Sequence, residues 1–125
     1  MRYKKMTHGK LGSMFDAQLR LQNKLGNFPI EDAKHKQELI NINVLACLDE
    51  LSELLRETAW KNPKFIIGGW KTSQLYNEEK FREEIVDLWH FVINLSILSG
   101  MNENKLYKLF IQKNKINHTR KKDGY

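Results

Sequence analysis

Cysteine occurs once in the 125 residues, as Cys47, which leaves no partner for a disulfide within the chain. It lies in an apolar helical stretch and reads as a small core residue. Proline occurs twice, and Pro29 and Pro63 both fall between helical stretches. Long apolar runs are missing. The longest, around Phe91 to Leu98, is interrupted by Asn94 and Ser96 and is too short to span a membrane. The basic N-terminus has no apolar segment behind it, so no secretory signal is expected and the protein reads as soluble and cytoplasmic. Period-2 runs of β-branched residues are absent too, which leaves an all-α fold. No internal repeat or low-complexity tract divides the chain, and its length suits one domain, residues 1–125.

What the chain has in quantity is charge: 21 Lys and Arg against 15 Asp and Glu, a net +6. The excess sits at the ends. Residues 1–10, read as a basic extension, carry Arg2, Lys4, Lys5 and Lys10 without an acid. Residues 113–125 carry Lys113, Lys115, Arg120, Lys121 and Lys122 against Asp123 alone. The middle is slightly acidic. Such a distribution suits a nucleic-acid binder, and equally an enzyme whose termini close over a polyphosphate.

The acids of the middle are patterned. Glu50-Leu-Ser-Glu53 and Glu84-Ile-Val-Asp87 each place two carboxylates at i,i+3, on one side of a helix. Both pairs border apolar sequence, Val44 to Leu48 and Trp89 to Ile93. On antiparallel helices the four would converge. Like charges at ~4 Å repel by several kcal/mol at a protein-like dielectric, so such a cluster calls for cations. Oxygen-only ligands favour a hard ion such as Mg²⁺, which keeps waters and accepts phosphate oxygens. The competing reading is a solvated stripe, since Glu50, Glu53 and Glu57 line up beside Leu48, Leu51 and Leu55.

The helices can be placed by their punctuation. The first is expected from Met14 to about Leu25, capped by Ser13 and ended by Gly26, with Phe15, Gln18, Gln22 and Leu25 on one face. Its two amides are either a polar edge or hydrogen-bonding groups for a ligand. The second follows Glu31-Asp32, an acidic start suited to the helix dipole, and extends to about Thr58. Residues 59–73 read as a loop, with Pro63, Gly68-Gly69 and the pairs Trp60-Lys61 and Trp70-Lys71. An indole there could stack on a base and the following lysine reach a phosphate; a tryptophan plugging the core is the alternative. Asn77 caps the third helix and Gly100 closes it. Its stripe Phe81, Leu88, Val92 and Leu95 is assigned to the core, with Glu83, Asp87, His90 and Asn94 on another face. His90 is given a supporting or packing role, because Mg²⁺ seldom takes imidazole. Asn102 caps a last helix through about Asn114, with Leu106, Leu109 and Phe110 inward.

Taken in order, four motifs stand out: Glu50-x-x-Glu53, Trp60-Lys61, Glu84-x-x-Asp87-x-x-His90-Phe91, and the terminal Lys113-Asn-Lys-Ile-Asn117-His-Thr-Arg120-Lys-Lys-Asp-Gly124-Tyr125. They resemble the dimeric all-α dUTPases of the MazG-like nucleotide pyrophosphohydrolase superfamily, over nearly the whole chain. The resemblance implies a bundle of four to five helices with its site between antiparallel helices, and hydrolysis of dUTP to dUMP and pyrophosphate. It implies Glu50, Glu53, Glu84 and Asp87 as ligands of two or three Mg²⁺ ions. Of these Glu50 and Glu53 would be catalytic, with Glu50 chosen to orient or deprotonate the attacking water. Lys61, Lys113, Asn117 and Arg120 would meet phosphates and sugar, and Tyr125 would close the site. Trp60 would pack on the base, with Gln18 and Gln22 near its polar edge. The family pairs its subunits, so a homodimer is expected.

One departure bears on base choice. The family's Gln-x-x-Leu-Asn appears here as Gln22-Asn-Lys-Leu25-Gly26, without the final amide. Hydrolysis of dCTP, or of several nucleotides, is therefore the alternative within the same chemistry. A helical nucleic-acid or regulatory module is the alternative from another class. The basic ends favour it, but no helix is one-sidedly basic and part of that sequence already belongs to the enzyme motif.

Overall fold

A computed structural model describes residues 9–58 and 77–122, with side chains as far as Arg120. They form four helices, α1 (Gly9–Lys24), α2 (Ala33–Arg56), α3 (Glu78–Leu98) and α4 (Glu103–Lys122). The fold is all-α, as the missing alternation requires. Trp60, Lys61, Trp70, Tyr125 and the basic residues before Gly9 lie outside the described residues.

The helix ends follow local chemistry. Asp32 caps α2 by accepting from His35 N at 2.7 Å, and Asn77 caps α3 by accepting from Lys80 N at 3.1 Å. Asn102 does the same for α4 through Lys105 N at 2.9 Å. Gly26 and Gly100 terminate α1 and α3 with φ of +80° and +85°, conformations open to glycine. At each, paired bonds run back into the last turn: Gly26 N to Asn23 O with Asn27 N to Gln22 O, and Gly100 N to Ile97 O with Met101 N to Ser96 O.

Two expected boundaries are corrected. Ser13 is no cap. It lies inside α1, where its hydroxyl donates back to Gly9 O at 3.1 Å, and the helix starts a full turn earlier. The last helix does not stop near Asn114 but continues to Lys122, so Lys113, Asn117 and Arg120 belong to a helix rather than an extended tail. Only Ile116 breaks the polar run there, which removes the apolar period, yet Lys, Gln and Arg are good helix formers.

The core consists of Phe15, Phe28, Leu39, Ile93, Ile97 and Leu98, flanked by Leu11, Leu19, Ile30, Ile40, Leu95 and Leu106. The core stripe of α3 is therefore rotated from the expected one: Leu95 packs on the core, but Val92 is exposed and Phe81 and Leu88 are only half-buried. Apolar residues surround much of this helix, so periodicity alone allowed either face. On α4 Leu106 packs inward while Leu109 and Phe110 are exposed. The principal packing is α2 against α3, with α1 laid on α3 and α4. Val44, Leu48, Leu51 and Leu55 form a stripe along α2 that remains exposed, between 42% and 58%. No helix among the described residues is long and apolar enough to cross a membrane.

Candidate metal centre and adjoining pocket

Helices α2 and α3 run antiparallel, and their contacts show the register. Asn94 Nδ2 of α3 donates to Asn43 Oδ1 of α2 at 2.9 Å. Two turns toward the C-terminus of α2 and two turns toward the N-terminus of α3, Glu50 meets Asp87. One further turn each way brings Glu53 to Glu84. The i,i+3 spacing on both helices thus aligns the two acidic pairs across one seam.

Ligand oxygens of Glu50, Glu84 and Asp87 lie within 4.8 Å of one another. Glu53 stands outside that trio but is within hydrogen-bonding reach of Glu84. Glu50 Oε2 and Glu84 Oε2 are sealed from solvent and receive no hydrogen bond. Sealed carboxylate oxygens without donors are costly unless a proton or cation reaches them. Three side chains register this. Burial, followed by the charges of Glu53, Asp87 and Asp49, pushes the Glu50 pKa up against a lowering bond with Glu84. Glu53 is raised chiefly by its hydrogen bond and charge interaction with Glu84. Glu84 is raised first by its hydrogen bond with Glu50 and then by burial. Without a cation the cluster holds protons that isolated carboxylates would release. An all-oxygen donor set of this kind fits a hard divalent ion.

Beside the cluster opens a cavity of about 470 Å³, walled by Gln18, Leu21 and Gln22 of α1, Leu25 just after it, Glu50 of α2, and Asp87, His90, Phe91 and Asn94 of α3. It has apolar sides and a few amides at fixed places, the usual make-up of a small-molecule site. Gln18 Nε2 donates to Asn94 Oδ1 at 2.7 Å, and both residues are buried. Gln22 Oε1 accepts from Asn27 Nδ2 at 2.9 Å. The left-handed turn at Gly26 returns Asn27 to this position. The amide missing from the motif at Gly26 is thus followed by one that does reach Gln22.

His90 stays outside the carboxylate trio. Its Nδ1 lies 2.9 Å from Val86 O, a carbonyl that can only accept, so Nδ1 carries the proton. Lys113, Asn117 and Arg120 share one face of α4 and are exposed. Burial and then the charge of Glu50 raise the pKa of the half-buried Cys47 thiol, which disfavours the thiolate and suits a packing role. The residues that motif reading missed are Asn43 and Asn27. Asn43 carried a faint signal, since it precedes Glu50 by the same two turns that separate Asn94 from Asp87.

Comparison with known proteins gives the chain relatives. A family model described as dUTPase matches residues 10–105, which span both acidic pairs and the glutamines of α1. The chain is 31% identical over 96 residues to a dCTP pyrophosphatase of Enterobacteria phage T4, an alignment covering 66% of this chain and 52% of the relative. The chain thus spans about half the length of that curated relative. No solved structure matches it. With most of its length matched by one family model, the chain belongs to the all-α dUTPase family.

Proposed function

We propose that this protein is a Mg²⁺-dependent pyrophosphohydrolase that cleaves dUTP to dUMP and pyrophosphate. The observation that carries the reading is the alignment of two acidic pairs across the α2–α3 seam beside an amide-walled cavity. Glu50, Glu53, Glu84 and Asp87 would hold the metal. Mg²⁺ bound there would screen the triphosphate charge and acidify a water. Water attacks the α-phosphorus, the bond to the bridging oxygen breaks, and pyrophosphate leaves. Glu50 receives the proton of the water. Gln18 and Gln22 face the base, with Trp60 stacking on it. Lys61, Lys113, Asn117, Arg120 and Tyr125 are assigned to phosphates and sugar, through chemistry in which charge-assisted bonds are strong.

The working unit in this proposal is a homodimer, formed from single-domain subunits in the cytoplasm. The exposed stripe Val44, Leu48, Leu51 and Leu55 supports it, because a continuous apolar face on a helix calls for a partner. A second reading, hydrolysis of dCTP, is favoured by the similarity to the phage dCTP pyrophosphatase and by glycine at position 26. Measuring pyrophosphate release from dUTP, dCTP, dTTP and UTP, with Mg²⁺ or with EDTA, separates these readings. Release from dCTP faster than from dUTP replaces the first by the second, and release from none removes both.

A further inference from the structure

The buried amides beside the cavity form a directed chain with one fixed end. Asn43 Nδ2 donates to Leu39 O at 2.8 Å, Asn94 Nδ2 donates to Asn43 Oδ1 at 2.9 Å, and Gln18 Nε2 donates to Asn94 Oδ1 at 2.7 Å. A side-chain amide can normally serve as donor or acceptor by flipping. This chain cannot flip. Leu39 O is a backbone carbonyl and only accepts, so Asn43 must turn its NH₂ toward it. That leaves Asn43 Oδ1 toward Asn94, which must answer with NH₂, and the same condition passes to Gln18. Asn43, Asn94 and Gln18 are 7%, 3% and 4% exposed, so water has little access to satisfy a reversed arrangement.

We infer that Asn94 and Asn43 are positioning residues that hold Gln18 with its carbonyl oxygen as an obligate acceptor toward the base, and thereby set which pyrimidine is preferred. Gln18 lines the cavity, and its Oε1 accepts no hydrogen bond among the described residues. Gln22 stands in the opposite sense: its Oε1 accepts from Asn27 Nδ2, so its NH₂ is the group left for a ligand. The cavity therefore offers one locked acceptor, Gln18 Oε1, with the Gln22 NH₂ beside it as a donor. Uracil and cytosine each have an adjacent donor and acceptor on their Watson–Crick edge, but at different positions on the ring. A locked acceptor satisfies one placement and leaves the other base with unpaired polar groups, which is how a polar site discriminates strongly. Free amides would serve both.

The inference rests on the proposed pyrimidine nucleotide reaction, and its test keeps the two apart. The ratio of kcat/KM for dUTP and dCTP is measured in the wild type, Asn43→Leu and Asn43→Ala, with thermal unfolding of each. Removing Asn43 frees Asn94 and then Gln18 to flip. The expected result is a wild-type preference of at least about tenfold for one base that shrinks at least about fivefold in both variants, with the Mg²⁺ requirement unchanged. A purely structural role lowers both substrates together and leaves the ratio alone. An unchanged ratio, or a wild type without preference, overturns the inference. A wild type inactive on every pyrimidine nucleotide overturns the proposed reaction instead. Side-chain amide hydrogen exchange in the wild type tests the lock without any variant. The NH₂ protons of Asn43 and Asn94 should exchange much more slowly than those of Gln37, whose bond to Asn41 is exposed. Equal exchange refutes the lock even where neither variant folds.

Discussion

Replacing Asn94 by leucine should destabilise the protein far more than any surface substitution. Asn94 joins three helices: it accepts from Gln18 of α1 at 2.7 Å and donates to Asn43 of α2 at 2.9 Å, from a site 3% exposed on α3. Leucine keeps its branched shape but removes both bonds and strands two buried groups, Gln18 Nε2 and Asn43 Oδ1. Each stranded group costs about 1–3 kcal/mol, so the loss is about 2–6 kcal/mol. Against a total stability of about 5–15 kcal/mol for a domain, that is a large fraction. At roughly 4 °C per kcal/mol for a chain of this size, Tm should fall by about 8–24 °C. Asn43→Leu strands one group, Asn94 Nδ2, and should cost about half as much. Gln37→Leu removes an exposed 2.9 Å bond to Asn41 and should stay within about 0.5 kcal/mol. The assay is thermal unfolding by circular dichroism at 222 nm, with EDTA present and protomer concentration held constant. The order Asn94 > Asn43 > Gln37 is the prediction. An Asn94→Leu variant that melts with the Gln37 variant refutes the account of the buried amides.

Glu84 touches both Glu50 and Glu53, so Glu84→Gln should lower pyrophosphate release about 10²–10³-fold while the helical signal persists, and retention of a tenth of wild-type activity removes Glu84 from the metal site. Glu50, Glu53 and Glu84 all have folded pKa values raised above the ordinary carboxylate value. Their contribution to stability is therefore fully present below that ordinary value and is lost as pH rises through the raised ones. In EDTA, the Tm of the wild type relative to Glu84→Gln should fall as pH rises through that window, and a difference independent of pH contradicts the shared-proton cluster. Leu48→Glu, in the middle of the exposed stripe of α2, should shift sedimentation from dimer to monomer at micromolar concentration; an unchanged dimer places the interface elsewhere. Asp32→Ala removes the cap bond to His35 N and should lower stability by about 1 kcal/mol in thermal unfolding.

Sequence alone carried the features that depend on neighbours along the chain. Asp32, Asn77 and Asn102 announced helix starts because a short polar side chain before a helical stretch can accept from the first turn. Gly26 and Gly100 announced ends through the left-handed turn. The carboxylate pairs were legible because i,i+3 spacing fixes a common side whatever the rest of the fold does. What was not legible depends on which helix faces which. Asn43 looks like any polar residue on α2 until α3 is set against it in register, and only then does it terminate the amide chain. The core face of α3 was misplaced because Val92 and Ile93 are equally apolar and only the packing of α1 and α2 chooses between them. The length of α4 escaped because residues 112–120 are all exposed and leave no period to read.

In the proposed reaction the α2–α3 carboxylates hold Mg²⁺ for water attack on the α-phosphorus of a pyrimidine deoxynucleotide. It is tested most directly by running the reaction in H₂¹⁸O and analysing every product. The account predicts one pyrophosphate per nucleotide, no orthophosphate, ¹⁸O only in the monophosphate, and complete loss with EDTA reversed by excess Mg²⁺. Orthophosphate release, label in the pyrophosphate, or activity that survives EDTA would contradict it.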